Sequence, residues 1–177
     1  MKKAIIAATV CLLLYGCSAQ TAPQQAPPSD EWAHPLVRFN ITAFNRARAA
    51  WEAQGITCYT FEVWEFRGGP GPWFRIVVIK GEATAIEFVE GPEPDEQFVN
   101  DMRKTIPGVF DWIADSYERG LRLTDWLLDG HHVDITARYN ADYHFPELAT
   151  FSIGFTVPGG GAGGSSGIQV RGFQPID

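Results

Sequence analysis

Three strand-like runs follow one another between residues 57 and 90, joined by connections short enough only for hairpins, and no other stretch constrains the fold as tightly. Thr57–Phe66 alternates, with Tyr59, Phe61 and Val63 on one face and Thr60, Glu62 and Trp64 on the other. Gly68–Pro72 reads Gly-Gly-Pro-Gly-Pro and must turn. Trp73–Ile79 is a second run, Lys80–Gly81 a tight turn and Ala83–Glu90 a third run. This spacing predicts an antiparallel meander.

A helix is predicted on either side of it. Ile41, Phe44, Ala47/Arg48 and Trp51 recur every three to four residues, with Asn40 or Thr42 as the cap and Gly55 as the stop. Gly91–Glu96 reads as an acidic loop. Thr105 then caps a second helix with Pro107 in its first turn, the stripe Ile106, Val109/Phe110, Ile113 and Tyr117, and Gly120 as its end. Leu121–Gly130 carries no readable period. Val133–Tyr139 and Leu148–Val157 read as strands around the corner Tyr139–Pro146, and Ile168–Phe173 as a last strand after the glycine-rich Pro158–Gly167. After residue 35 the chain holds 6 Leu against 11 Ile and 10 Val, a bias toward strands. The expected fold is α+β: an antiparallel sheet of five to six strands in the order α-β-β-β-α-β-β-β, with two helices packed on one face.

The first residues give an address. Met1–Lys3 is a short positive segment, Ala4–Leu14 an apolar run of signal-peptide length, far below a membrane span. Leu14–Cys17 resembles the bacterial lipobox, in which the cysteine thiol takes a diacylglyceryl group and the chain is cleaved before it. Three segments are therefore expected: a signal peptide over 1–16, a Pro/Gln/Ala-rich tether over 17–35, and one domain over 36–177. Cleavage would remove 16 residues, two of them lysines, and leave 161 with a formal charge of −9 in place of 177 at −7. The lipid, palmitate included, would attach Cys17 to the membrane, and Ser18 in place of an acid points to the periplasmic leaflet of the outer membrane. With 14 Lys+Arg against 21 Asp+Glu and no basic cluster in the domain, nucleic acid is excluded as a partner. Cys58 is the only thiol expected to stay free; it forms no intramolecular disulfide, and a small buried hydrophobe is its expected role.

Trp51, Tyr59–Phe61, Ile76–Gly81, Thr105–Ile106, Phe110–Ile113, Val133–Tyr139 and the corner Tyr139, Asn140, Tyr143, His144, Phe145, Pro146 together resemble a family of secreted proteins and lipoproteins of bacteria, the domain of unknown function 6174. Its corner typically reads Tyr-Asp, a spacer, then Gly-Tyr-Pro. Here Asn140 stands for the Asp, His144 for the Gly and Phe145 for the Tyr. The resemblance implies an envelope location and an α+β fold, and no activity.

Candidates for chemistry are few. Gly163–Gly167 matches the nucleophile-elbow pattern around Ser165, but it sits in a Gly/Ser tract with no histidine after it. His132 and Asp134 share a strand face with His131 opposite; Asp142 and His144 would have to join them to make a zinc site. Glu62, Glu65, Glu87 and Glu90 are the carboxylates available for acid–base work, and a charged outer face is their expected role. Aromatic residues stand out instead. Their parity around the first hairpin puts rings on both faces, and tyrosine and tryptophan anchor partners. The favoured reading is a membrane-tethered binding module without cofactor, taking an envelope protein or small ligand at Trp64, Trp73, Tyr139, Tyr143, His144 and Phe145. A metal-assisted periplasmic hydrolase using His132, Asp134, Asp142 and His144 is the alternative.

Overall fold

The computed structural model describes residues 32–155 and 164–176. Signal peptide, Cys17 and the tether up to residue 31 lie outside them, as does most of the Pro158–Gly167 connection. In chain order the elements are β1 (Trp32–His34), β2 (Val37–Asn40), α1 (Ile41–Gln54), β3 (Tyr59–Arg67), β4 (Trp73–Ile79), β5 (Glu82–Glu90), α2 (Glu96–Asp101), α3 (Ile106–Leu123), β6 (His131–Tyr139), β7 (Pro146–Phe155) and β8 (Ser165–Pro175). A 3-10 turn, Thr124–Trp126, follows α3.

The α+β class holds, but among the described residues the sheet has eight strands in the order β1-β2-β6-β7-β8-β3-β4-β5, not five to six, and there are three helices, not two. Each added element is short. β1 and β2 are three and four residues long, β1 within the stretch expected as tether. Their partners lie far away: β2 pairs in parallel with β6, Val37 opposite Val133 and Arg38 opposite Asp134. No local pattern encodes such a pairing. α2 has six residues, and Asp95 caps it by accepting from the Phe98 amide at 2.7 Å. Every other strand contact is antiparallel.

The meander forms as its parity and turns dictate. Lys80 (φ 54°) and Gly81 (φ 82°) both sit in the left-handed region, the requirement of a two-residue hairpin that continues strand twist. Gly71 is buried against β3, where a Cβ would lie 1.8 Å from the Glu65 carbonyl oxygen, so no side chain fits there.

All three helices lie on one face. Asn40 Oδ1 accepts from the Ala43 amide at 2.7 Å to start α1, and Gly55 (φ 63°) closes it. Phe44, Ala47 and Trp51 turn inward; Trp51 meets Tyr59, Phe145 and Phe173 edge to face at 5.6–6.4 Å. Thr105 caps α3 through the Gly108 amide at 3.1 Å. Gly120 does not end that helix, which runs on to Leu123. It is buried instead, with Val133 and Val37 methyls 3.2 and 3.3 Å from where its Cβ would stand. Glycine lets α3 approach β2 and β6 closely. The Tyr59 hydroxyl accepts from the Ile106 amide at 3.0 Å, tying the helix start to the meander, and burial pushes this phenol up to about 12.

Candidate functional site

β3 presents a carboxylate flanked by arginines to each of its two faces. Parity puts Glu62, Trp64 and Phe66 on the face without helices and Tyr59, Phe61, Val63 and Glu65 on the helix side.

On the open face both Glu62 oxygens are taken, by Arg75 Nη2 and Arg171 Nε, each at 2.8 Å. Arg75 also reaches Glu87 at 3.2 Å and Arg171 reaches Glu90 at 2.9 Å. These bonds, from Arg171 first and then Arg75, hold the Glu62 carboxyl below its ordinary range. Beside the network stands a row of flat groups. Phe66 and Trp64 stack at 4.7 Å, Trp64 and Trp73 at 6.2 Å, and the Arg171 guanidinium lies 3.8 Å over Trp73. Trp64 Nε1 donates to the Gly71 carbonyl at 2.7 Å. A Cβ on Gly167 would strike the Phe66 ring, so this row closes down onto bare backbone.

On the helix side Glu65 is only 3 % exposed. One oxygen accepts from Arg67 Nη2 at 3.0 Å, with Arg103 Nη1 3.6 Å away; the other accepts from the Arg103 amide at 3.2 Å. Around it opens a cleft of about 630 Å³, lined also by Trp112, Arg119 and Ser166. Arg119 lies 3.9 Å over the Phe151 ring. Burial, then the nearby Arg103 and Arg122 charges, lower its pKa from the ordinary arginine value.

The corner residues are spent on structure. Asn140 Oδ1 accepts from the Asp142 and Tyr143 amides at 3.0 and 2.8 Å, while its Nδ2 donates to Glu147 at 2.9 Å. An aspartate there would bring a second negative charge to Glu147. His144 has φ 61°, which explains why a glycine suits this place. Phe145 and Tyr143 pack on Phe173 at 4.8 and 5.0 Å, and Tyr139 stacks on Phe110 at 6.3 Å. The Tyr139 hydroxyl is buried with no hydrogen bond, and burial raises its pKa.

The four residues of the hydrolase alternative do not come together. His132 Nε2 bonds Asp134 Oδ2 at 2.9 Å at the start of β6, on the shared face expected for them. Asp142 and His144 follow the other end of that strand, roughly 20 Å away at 3.3 Å per residue. Among the described residues no group of three or more His, Cys, Asp or Glu could hold a metal ion. His131 turns to the opposite side, its ring 4.1 Å from Phe155. Ser165 opens β8 opposite Ser152, so a strand follows it where an elbow needs a helix. Cys58 is half-buried, and its Sγ accepts from the Lys80 amide at 3.4 Å.

Trp64 and Trp73 therefore adjoin as their register demands, Trp64 opposite Trp73, while Tyr139 packs on Phe110 and Tyr143 and Phe145 on Phe173, apart from the tryptophan pair. The sequence reading missed the arginine cleft. Its one signal was parity: Glu65 falls in step with Tyr59, Phe61 and Val63, and a carboxylate on a core face needs cationic partners.

The family profile DUF6174, described as a family of unknown function, matches residues 43–155. No curated protein and no solved structure matches the chain.

Proposed function

The chain belongs to the DUF6174 family, and from that premise we propose that it is a lipid-anchored protein of the bacterial envelope whose folded domain works as a binding module for a partner protein. The observation that carries this is the face of β3, β4 and β8 that no described helix covers, where Trp64 and Trp73 stand within a rim of Glu62, Glu87, Glu90, Arg75 and Arg171. An aromatic centre inside a charged rim is the pattern of an interaction hot spot. The ring faces are occupied by one another and by Arg171, which leaves ring edges and rim charges for contact. Such a surface suits a protein better than a flat sugar or base, which would need a free ring face. With three carboxylates against two arginines, it favours a partner that brings hydrogen-bond donors or positive charge.

Attachment would rest on Cys17 in the lipobox-like Leu14–Cys17 and on the apolar run before it. Among the described residues no helix is long and apolar enough to cross a membrane. Cys17→Ser should lose the lipid mass increment and membrane fractionation while the domain stays folded; a mutant still lipidated refutes the anchor. Cross-linking in cells tests the surface. Trp64→Ala with Trp73→Ala should abolish recovery of a specific envelope protein without changing recovery of the bait. If wild-type protein recovers none, the binding module is wrong.

A further inference from the structure

On the helix side of the sheet, the cleft around Glu65 holds more positive charge than its own acids neutralise. Glu65 occupies Arg67 and Arg103, as described. The other acid in the lining, Asp101, stands 4.0 Å from Arg67, and its backbone carbonyl accepts from Arg103 Nη1 at 2.9 Å. Arg119 has no carboxylate partner among the described residues; its one contact of note is the Phe151 ring. Trp112, Ser116 and Arg119 share one stripe of α3, at intervals of four and three residues, which carries the guanidinium out of the core toward the cleft. A cation–π contact at an exposed site holds a guanidinium only weakly. Partial burial and two like charges oppose it, which is the direction in which the Arg119 pKa moves. The arrangement is thus incomplete without a negative group. In a chain of formal charge −7, a cationic cleft is a local exception to the general field.

We propose that this cleft binds a small organic anion, its compact carboxylate or phosphate head held by the planar fork of Arg119 together with Arg103, and its body lying along Trp112. A guanidinium fork matches either head with two parallel hydrogen bonds. Buried Glu65 is the counter-charge that fixes Arg67 and Arg103 in place before the ligand arrives, so little ordering is left to binding. About 630 Å³ is room for more than a bare ion. A divalent cation does not fit, since the Glu65 oxygens are already committed to arginine and amide donors.

The test titrates the full chain with glycerol 3-phosphate, with succinate and with glycerol, followed by calorimetry and by the arginine Nε–Hε signals in NMR. At least one of the two anions should bind saturably and shift the Arg119 signal in step, and glycerol should do neither; which anion binds distinguishes phosphate from carboxylate. Arg119→Gln should weaken that binding about tenfold or more. Arg46→Gln, on the exposed side of α1, should leave it unchanged. Arg119→Lys keeps the charge but loses the fork, and should bind severalfold more weakly while melting like wild type. The proposal is overturned if neither anion saturates, if Arg119→Gln binds as wild type does, or if Arg46→Gln weakens binding equally. These outcomes concern the helix side of the sheet, so they leave the Trp64–Trp73 surface untouched.

Discussion

Glu62 and Glu65 sit three residues apart on one strand, each bonded by two arginines, and yet they build opposite things. Glu62 is part of a closed circuit: Arg75 and Arg171 each return to a second carboxylate, so acids exceed bases and both guanidiniums are paired. Glu65 sits in an open one, with Arg67 and Arg103 bound to it and Arg119 left over beside them. Burial differs as well, since the Glu62 side chain is 16 % exposed and that of Glu65 only 3 %. Counting partners for each charge, rather than counting salt bridges, distinguishes a surface with acid to spare from a cleft with a cation to spare.

The sharpest way to break this contrast is to remove the cations from each carboxylate in turn. Arg67→Met with Arg103→Met leaves Glu65 buried and without a guanidinium, and should cost about 3–5 kcal/mol in urea unfolding. Arg75→Met with Arg171→Met leaves Glu62 near water and should cost far less. Equal losses would mean that burial does not separate the two sites.

Two tyrosines carry the same logic into the core. Tyr59→Phe deprives the Ile106 amide of its acceptor and should cost about 1–2 kcal/mol, whereas Tyr139→Phe removes a hydroxyl that has no partner and should cost almost nothing. Tyr59 also has a pH signature. Its phenol is raised to about 12, so the stability linked to it is complete below the unfolded value near 10 and is lost as pH climbs toward 12. Tyr59→Phe should flatten that part of the alkaline limb; a limb that keeps its full slope would assign it to other groups.

Smaller effects test the open face and the corner. The Glu62 carboxyl is lowered, so its contribution is present above the ordinary value of 4.5 and disappears as pH falls through the lower folded value. The difference between wild type and Glu62→Gln should thus be constant near neutrality and shrink in acid. If it persists unchanged to the acid limit, the ion pairs are not its source. His144→Gly should raise stability by about 0.5 kcal/mol, because the left-handed backbone there no longer opposes a side chain.

The meander and the caps of α1 and α3 were legible because each rests on neighbours in sequence: alternation, Gly68–Pro72, Lys80–Gly81, Asn40 and Thr105. What rests on distant chain was not. β2 needs β6 beside it, and Gly120, read as a stop, answers to Val37 and Val133 rather than to its own helix. The cleft draws Glu65 and Arg67 from a strand, Arg103 from a connection and Arg119 from a helix, a grouping that only tertiary structure assembles. The corner was legible as a turn from its sequence, while the packing of its rings on Phe110 and Phe173 comes from distant chain.

Sheet order has a kinetic consequence. β8 is the latest described strand in sequence, and it lies between β7 and β3, joining the half made of β1, β2, β6 and β7 to the hairpins of β3, β4 and β5. Until residues 165–175 arrive, each half has a bare strand edge and the halves have no ladder between them. A nascent chain therefore completes its central pairing last, across more than 100 residues in the Glu62–Arg171 pair, and folding should be slow and cooperative. Loss of that final strand would not trim the sheet at its margin. It would divide it in two and expose both edges to aggregation.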